Sequence, residues 1–171
     1  LQGVPGTGKS YQVDEYCKEI FPCPQQRQEQ VLRINVHASL ENNHLMQGIG
    51  ISLEEHQVNY IPRQGILLQH ILKAIGNPNS LFVVILEEIQ ENNLNQLLGD
   101  LIFLLEISRR TTFTETIENP LTNLDAINQT CLENSGNNHI KLPNLIDNRT
   151  LHLSLPNNLY FFCTSNFRER R

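Results

Sequence analysis

Gly3-Val4-Pro5-Gly6-Thr7-Gly8-Lys9-Ser10 is the stretch that decides the fold, because it fits the pattern G-x-x-x-x-G-K-[ST] and runs straight into a helix-compatible segment, Tyr11 to Phe21. Glycines at these positions let the backbone curl so that successive N–H groups point inward at an anion, where a side chain would collide. In such a loop Lys9 reaches the β- and γ-phosphates of a nucleoside triphosphate and the Ser10 hydroxyl ligates magnesium. The helix that starts near Gly8 adds the positive end of its dipole to the same site. Gly3, Val4, Pro5, Gly6, Thr7, Gly8, Lys9 and Ser10 are therefore the expected nucleotide-binding residues.

A phosphate loop of this kind needs a second strand tipped with acids. Leu81 to Glu88, LFVVILEE, supplies one: six apolar residues follow the breaker Asn77-Pro78-Asn79, as expected of a strand buried on both faces of a parallel sheet, and two carboxylates end it. Glu87 is the expected magnesium ligand, acting through water, and Glu88 is the expected group that polarises the water attacking the γ-phosphate. A third strand is read in Leu159 to Ser165, which stops at the polar residue Asn166. Beside a phosphate loop, such a residue can orient the attacking water.

The order of these parts resembles the AAA+ ATPases, in which the role assigned to Asn166 is called sensor 1. Within that class the chain is similar to the McrB-like, dynein-related branch, which includes the GTPase subunit of methyl-directed restriction systems. There the acidic strand runs into D-E-I-N-R-x-N-L-x-x-x-x-G-E-L-x-x-L-L-E. Here the sequence is Glu87-Glu88-Ile89-Gln90-Glu91-Asn92-Asn93-Leu94, followed by Gly99-Asp100-Leu101 and Leu104-Leu105-Glu106. Leu155-Pro156-Asn157-Asn158-Leu159-Tyr160 and Cys163-Thr164-Ser165-Asn166 parallel a Pro-x-Asn-Leu-Tyr run and a G-T-M-N. Val36-His37-Ala38-Ser39 and Arg63-Gln64-Gly65-Ile66-Leu67 add to the likeness.

The resemblance implies a three-layer P-loop NTPase of the AAA+ large-subdomain type: a parallel sheet with helices on both faces, read over residues 1–171 as a core truncated at both ends. It implies that the first strand, of which Leu1-Gln2 is the tip, begins earlier. An arginine finger and a helical lid are expected to lie after this core. It further implies a homo-oligomeric ring, a hexamer, in which each site borrows an arginine from its neighbour, with a nuclease partner and DNA engaged through other domains. The chain departs from the family pattern at Glu87, where Asp is usual, at Glu91, where the family has Arg, and over Phe167 to Arg171, where the restriction GTPases have T-A-D-R-S. ATP is favoured over GTP as substrate, with magnesium as cofactor, and GTP stays open.

Composition constrains the class less sharply. A length of 171 residues suits one domain, and a net charge of −5 leaves no global basic signature for nucleic acid. The four cysteines, Cys17, Cys23, Cys131 and Cys163, lack C-x-x-C spacing, as free thiols in a reducing cytoplasm would. The six histidines are scattered without ligand spacing, and no apolar run approaches the roughly 20 residues of a membrane span. A cytoplasmic protein with no membrane contact is expected.

Between the motifs, Gln25 to Gln30 reads as a polar link and Val31 to His37 as an alternating strand. Ser39 to Val58 reads as irregular and partly helical. Arg63 to Ile75 and Asn93 to Ile107 read as amphipathic helices. Thr111 to Asn148, rich in Asn, Thr and Pro, reads as a long loop leading into a hairpin of His139 to Leu142 with Leu151 to Leu155. Two function classes fit: an NTP-hydrolysing ring motor, and a nucleotide-binding switch or scaffold with little or no hydrolysis.

Overall fold

Strict alternation along the acidic strand sets how the layers stack. In the computed structural model, which describes residues 1–4, 6–54, 57–146 and 149–166, the chain begins with β1 (Gln2–Gly3), α1 (Lys9–Ile20), α2 (Pro24–Gln30) and β2 (Val31–Asn35). It continues with α3 (Asn42–Leu45), β3 (Gln47–Glu54), β4 (Gln57–Gln64), α4 (Ile66–Gly76) and β5 (Phe82–Glu87). A 3-10 turn (Ile89–Glu91), α5 (Leu94–Leu98), α6 (Leu101–Leu104), α7 (Leu124–Ser135), β6 (Ile140–Ile146), β7 (Arg149–Leu153), β8 (Leu159–Cys163) and β9 (Ser165–Asn166) complete it. Odd-numbered residues of β5, Val83 and Ile85, pack with Val13, Cys17 and Phe21 of the α1 segment. Even-numbered ones, Phe82, Val84 and Leu86, pack on the opposite face against Leu67, Leu68, Ile71 and Leu72 of α4. Helix, sheet and helix thus form three layers, as the sequence implied.

The sheet is parallel. β5 lies between β2 and β8, with Asn35 opposite Glu87 and Leu86 opposite Cys163. Past Thr164 the third strand continues as β9, which pairs with β1 so that Gly3 stands opposite Asn166. Parallel pairing requires long crossovers, and α4 and the α5–α7 region fill two of them. Strand tips from distant parts of the chain therefore end at one level.

Asn158 fixes that level. Its Nδ2 donates to the carbonyls of Ala74, Asn77 and Ser80 at 3.0, 3.0 and 2.8 Å, fastening the end of α4 and the Asn77-Pro78-Asn79 turn to the start of β8. Phe82 N in turn donates to the Asn158 carbonyl at 2.8 Å, which sets the β5 to β8 register from its first pair.

Several segments differ from the sequence reading. The polar link at Gln25 to Gln30 is helix α2, started by Pro24 and tied down by Arg27, which donates to the Pro22 carbonyl at 3.0 Å; it buries no residue, so no apolar stripe announces it. Val31 to His37 is strand only to Asn35. Ser39 to Val58 is not irregular: after the short α3 it forms the antiparallel hairpin β3–β4, which also takes Arg63 and Gln64 away from the helix expected there. This hairpin is inverted relative to a half-buried strand. Ile49, Ile51 and Leu53 share a face with Tyr60 and are 67–78% exposed.

The single helix expected over Asn93 to Ile107 is broken into α5, α6 and a 3-10 turn (Ile107–Arg109), because Gly99 adopts φ 54 and ends α5 there. The long loop at Thr111 to Asn148 contains α7, capped by Asn123 and anchored by buried Ile127 and Cys131. The hairpin after it is longer than expected on its first arm, pairing Ile140–Ile146 with Arg149–Leu153.

Replacing Asn158 by Asp turns a donor to three carbonyls into an acceptor facing them. We expect Asn158→Asp to lose about 2–3 kcal/mol or more in urea unfolding, since the carbonyls lose their donor and a charge meets their negative ends.

His70 is 6% exposed, with Nε2 3.1 Å from the Val83 carbonyl, and burial lowers its pKa from 6.5 to about 4. The unfolded chain takes up this proton near pH 6.5 and the folded chain only near 4. The stabilising contribution is complete above pH 6.5 and is lost as pH falls toward 4. We expect about 3 kcal/mol of acid destabilisation over that window to be missing from His70→Leu, compared with wild type by urea unfolding at each pH.

Candidate functional site

The phosphate loop leaves the tip of β1 and closes on itself before α1. Gly6 and Gly8 have φ of 79 and 76, a region that L side chains rarely adopt, so both positions favour glycine on backbone grounds. Thr7 Oγ1 donates to the Val4 carbonyl at 2.8 Å and pins the turn. Gly8 is the N-cap of α1, no side chain caps that helix, and its first N–H groups are left to an anion. Pro5 lies outside the described residues.

Lys9 projects from the first turn of α1 back over the loop. Its Nζ donates to the carbonyls of Gly3 and Val4 at 3.2 and 2.9 Å and to Asn166 Oδ1 at 2.7 Å. The pairing of Gly3 with Asn166 accounts for this reach, since it sets the tip of the third strand beside the loop. Asn166 then donates from Nδ2 to both carboxylate oxygens of Glu88, at 2.7 and 2.5 Å. Lys9, Asn166 and Glu88 form one continuous chain of hydrogen bonds, all three side chains half-buried.

Glu88 occupies the left-handed region, with φ 58 and ψ 42, immediately after β5. For a non-glycine residue this conformation costs of the order of 1–2 kcal/mol and persists only when its surroundings impose it. They do so here: Glu88 N donates to Thr164 Oγ1 at 3.4 Å and Ile89 N to the Thr164 carbonyl at 3.1 Å. Thr164, 1% exposed, also donates from its own N to the Leu86 carbonyl at 2.9 Å. The buried threonine stitches the acidic turn to the third strand.

Glu87 is placed differently. The alternation of β5 puts it on the α1 face with Val83 and Ile85, the face below the phosphate loop. Its Oε1 accepts from Arg33 Nη1 at 2.8 Å, and the same guanidinium pairs with Asp14 of α1. Ser10 is exposed in the first turn of α1. The structure thus unites Lys9, Asn166 and Glu88 directly, while Glu87 is joined to Arg33 and through it to α1.

Two participants escaped the sequence reading. Arg33 was visible only as a polar position of an alternating strand. Gln90 was passed over between two acids, yet its Nε2 donates to Glu88 Oε2 at 2.5 Å and its Oε1 accepts from Asn166 N at 3.1 Å. The signal available for it was its place in the D-E-I-N-R block, where the family carries another side-chain amide.

With this geometry in view, the chain matches the family model of the AAA domain (dynein-related subfamily) over residues 1–166. The chain belongs to that family. No curated protein matches it. Membership supports nucleotide binding and hydrolysis by an AAA+ ATPase, a class whose domains commonly assemble into oligomeric rings. No helix of this AAA domain, among the described residues, is long and apolar enough to cross a membrane.

A magnesium nucleotide fits the residues present. The loop offers positive-φ glycines and an uncapped helix start to phosphate oxygens, a lysine supplies positive charge, and hydroxyl and carboxylate oxygens of Ser10 and Glu87 are the hard ligands magnesium takes. Arg168, Arg170 and Arg171, the late arginines of the sequence, lie outside the described residues.

Proposed function

We propose that this AAA domain binds ATP with magnesium at Gly3 to Ser10 and hydrolyses it, with Glu88 as general base and Asn166 as the residue that orients the attacking water. The observation that carries the reading is the unbroken Lys9–Asn166–Glu88 chain, which ties the group that would hold the γ-phosphate to the group that would take the proton. Lys9 binds the β- and γ-phosphates once it exchanges its carbonyl partners for them. Ser10 and Glu87 would hold magnesium, Glu87 through water. When bound, the metal neutralises charge that develops on the phosphate oxygens.

In the chemical step Glu88 accepts a proton from water as the water oxygen bonds to the γ-phosphorus. The bond from that phosphorus to the bridging oxygen breaks, leaving ADP and inorganic phosphate. The half-buried setting of Glu88 and its paired amide donors hold one carboxylate rotamer for that transfer.

We further infer a McrB-like member of the subfamily, acting as a hexameric ring in the cytoplasm and driving a nuclease partner on DNA through other domains. Support comes from the block Glu87 to Glu106 and the run Leu155 to Asn166. ATP is preferred over GTP in this reading because Phe167 to Arg171 departs from the segment that marks the GTP-using members.

The test separates binding from chemistry. Lys9→Ala should weaken ATP binding at least tenfold, about 1.4 kcal/mol, by calorimetry. Unchanged affinity there would sink the phosphate-site assignment.

For the acids, Glu88→Gln should keep ATP affinity and lose turnover by a factor of about 100 or more. Glu87→Gln should instead raise the magnesium concentration needed for half-maximal rate. The opposite pattern would exchange the roles of the two acids.

A further inference from the structure

Gln90 stands on the 3-10 turn after Glu88, and both ends of its amide are committed. Nε2 donates to Glu88 Oε2 at 2.5 Å, and Oε1 accepts from the backbone N of Asn166 at 3.1 Å. The orientation of the amide is fixed by its partners, since a backbone N–H can only donate and a carboxylate only accepts. Gln90 thereby spans 76 residues of sequence to join the acidic turn to the tip of the third strand.

A carboxylate offers about four lone-pair sites, two on each oxygen. Oε2 accepts from Asn166 Nδ2 at 2.5 Å and from Gln90 Nε2 at 2.5 Å, which fills both of its sites. Oε1 accepts only from Asn166 Nδ2, at 2.7 Å, among the hydrogen bonds of the described residues. Among the described residues one acceptor site stays open, and it is on Oε1.

We propose that Gln90 is a positioning residue for hydrolysis: by occupying Oε2 and holding the Asn166 backbone, it leaves Oε1 as the oxygen that takes the proton from the attacking water. This rests on the hydrolytic reading above. Without Gln90, Oε2 would have an open site as well, water could bridge to either oxygen, and Asn166 would lose the contact that sets its strand tip. The chemical step would suffer while the phosphate loop, which Gln90 does not touch, would keep its grip on nucleotide.

The experiment compares the intact protein with Gln90→Met, which keeps nearly the same volume but has neither donor nor acceptor, and with Gln90→Asn, one methylene too short to reach both partners. Steady-state ATP hydrolysis, ATP affinity and amide hydrogen exchange at Asn166 are measured for each. Both variants are expected to lower kcat by about 10- to 100-fold, the range in which misplacement of a reacting group acts. KM and ATP affinity should stay within about twofold, because lost transition-state interactions show in kcat alone. The Asn166 amide should exchange about tenfold faster, since its acceptor is gone. A purely space-filling role predicts full activity for Gln90→Met, and that result, or a loss carried by KM with kcat unchanged, overturns the proposal. Absence of hydrolysis by the wild type sinks the hydrolytic reading instead; the exchange rate then still decides whether Gln90 holds Asn166, and an unchanged rate in Gln90→Met overturns that link.

Discussion

One planar amide carries the arrangement of the whole site. Asn166 accepts from Lys9 and donates to Glu88, so the residues expected to hold phosphate and to receive the proton meet through a single side chain. That contact exists only because β5 and β8 run parallel in register, Leu86 opposite Cys163, and because the third strand then pairs with β1, Gly3 opposite Asn166. A slip of one residue in either pairing would send alternate side chains to the other face of the sheet. The register is secured well away from the site, where Asn158 collects three carbonyls at the entrance to β5 and β8. Precision at one end of the sheet is thus produced at the other.

The site also stores strain. Glu88 sits in the left-handed region at the point where a fully buried strand gives way to a turn. Its amide bonds to Thr164, and its carboxylate bonds to Asn166 and Gln90, offset that cost. Arg33 plays the complementary part on the α1 face, bridging Asp14 and Glu87 so that the two carboxylates near the loop do not face one another unpaired. Each acid of the pair therefore has its own environment, one held by neutral amides and one by a guanidinium. Glu87 ends the strand on the α1 face, and the left-handed turn at Glu88 aims the next carboxylate at Asn166 and Gln90 instead.

Much of this was legible in the sequence, for a reason that also explains what was not. The phosphate loop, the strand LFVVILEE and the aromatic strand before Asn166 are contiguous motifs whose meaning is local, and the three-layer fold followed from them. The β3–β4 hairpin was hidden because its apolar residues, Ile49, Ile51 and Leu53, face solvent and alternate partly with glycine, so burial could not be read from pattern. The break at Gly99 interrupts a leucine stripe that keeps helical spacing through it, and the positive φ of Gly99 is what makes it a boundary. Helix α7 is anchored by Ile127 and Cys131 within a stretch of Asn and Thr, too sparse a stripe to register. Gln90 and Arg33 draw their importance from partners 76 and 54 residues away, which no local pattern encodes.

The pairing of β1 with the tip of the third strand bears on the order in which the chain assembles. The β3–β4 and β6–β7 hairpins close through neighbours in sequence, whereas Lys9 and Asn166 are separated by 157 residues. Closing a flexible loop of that length costs roughly 4–5 kcal/mol of chain entropy, to be recovered only after the intervening strands have docked. The contact between the phosphate loop and its partner asparagine is thus among those that carry a large closure entropy. A ligand that binds the closed loop and not the open one acts as a staple across this long closure, stabilising the folded chain in proportion to its occupancy.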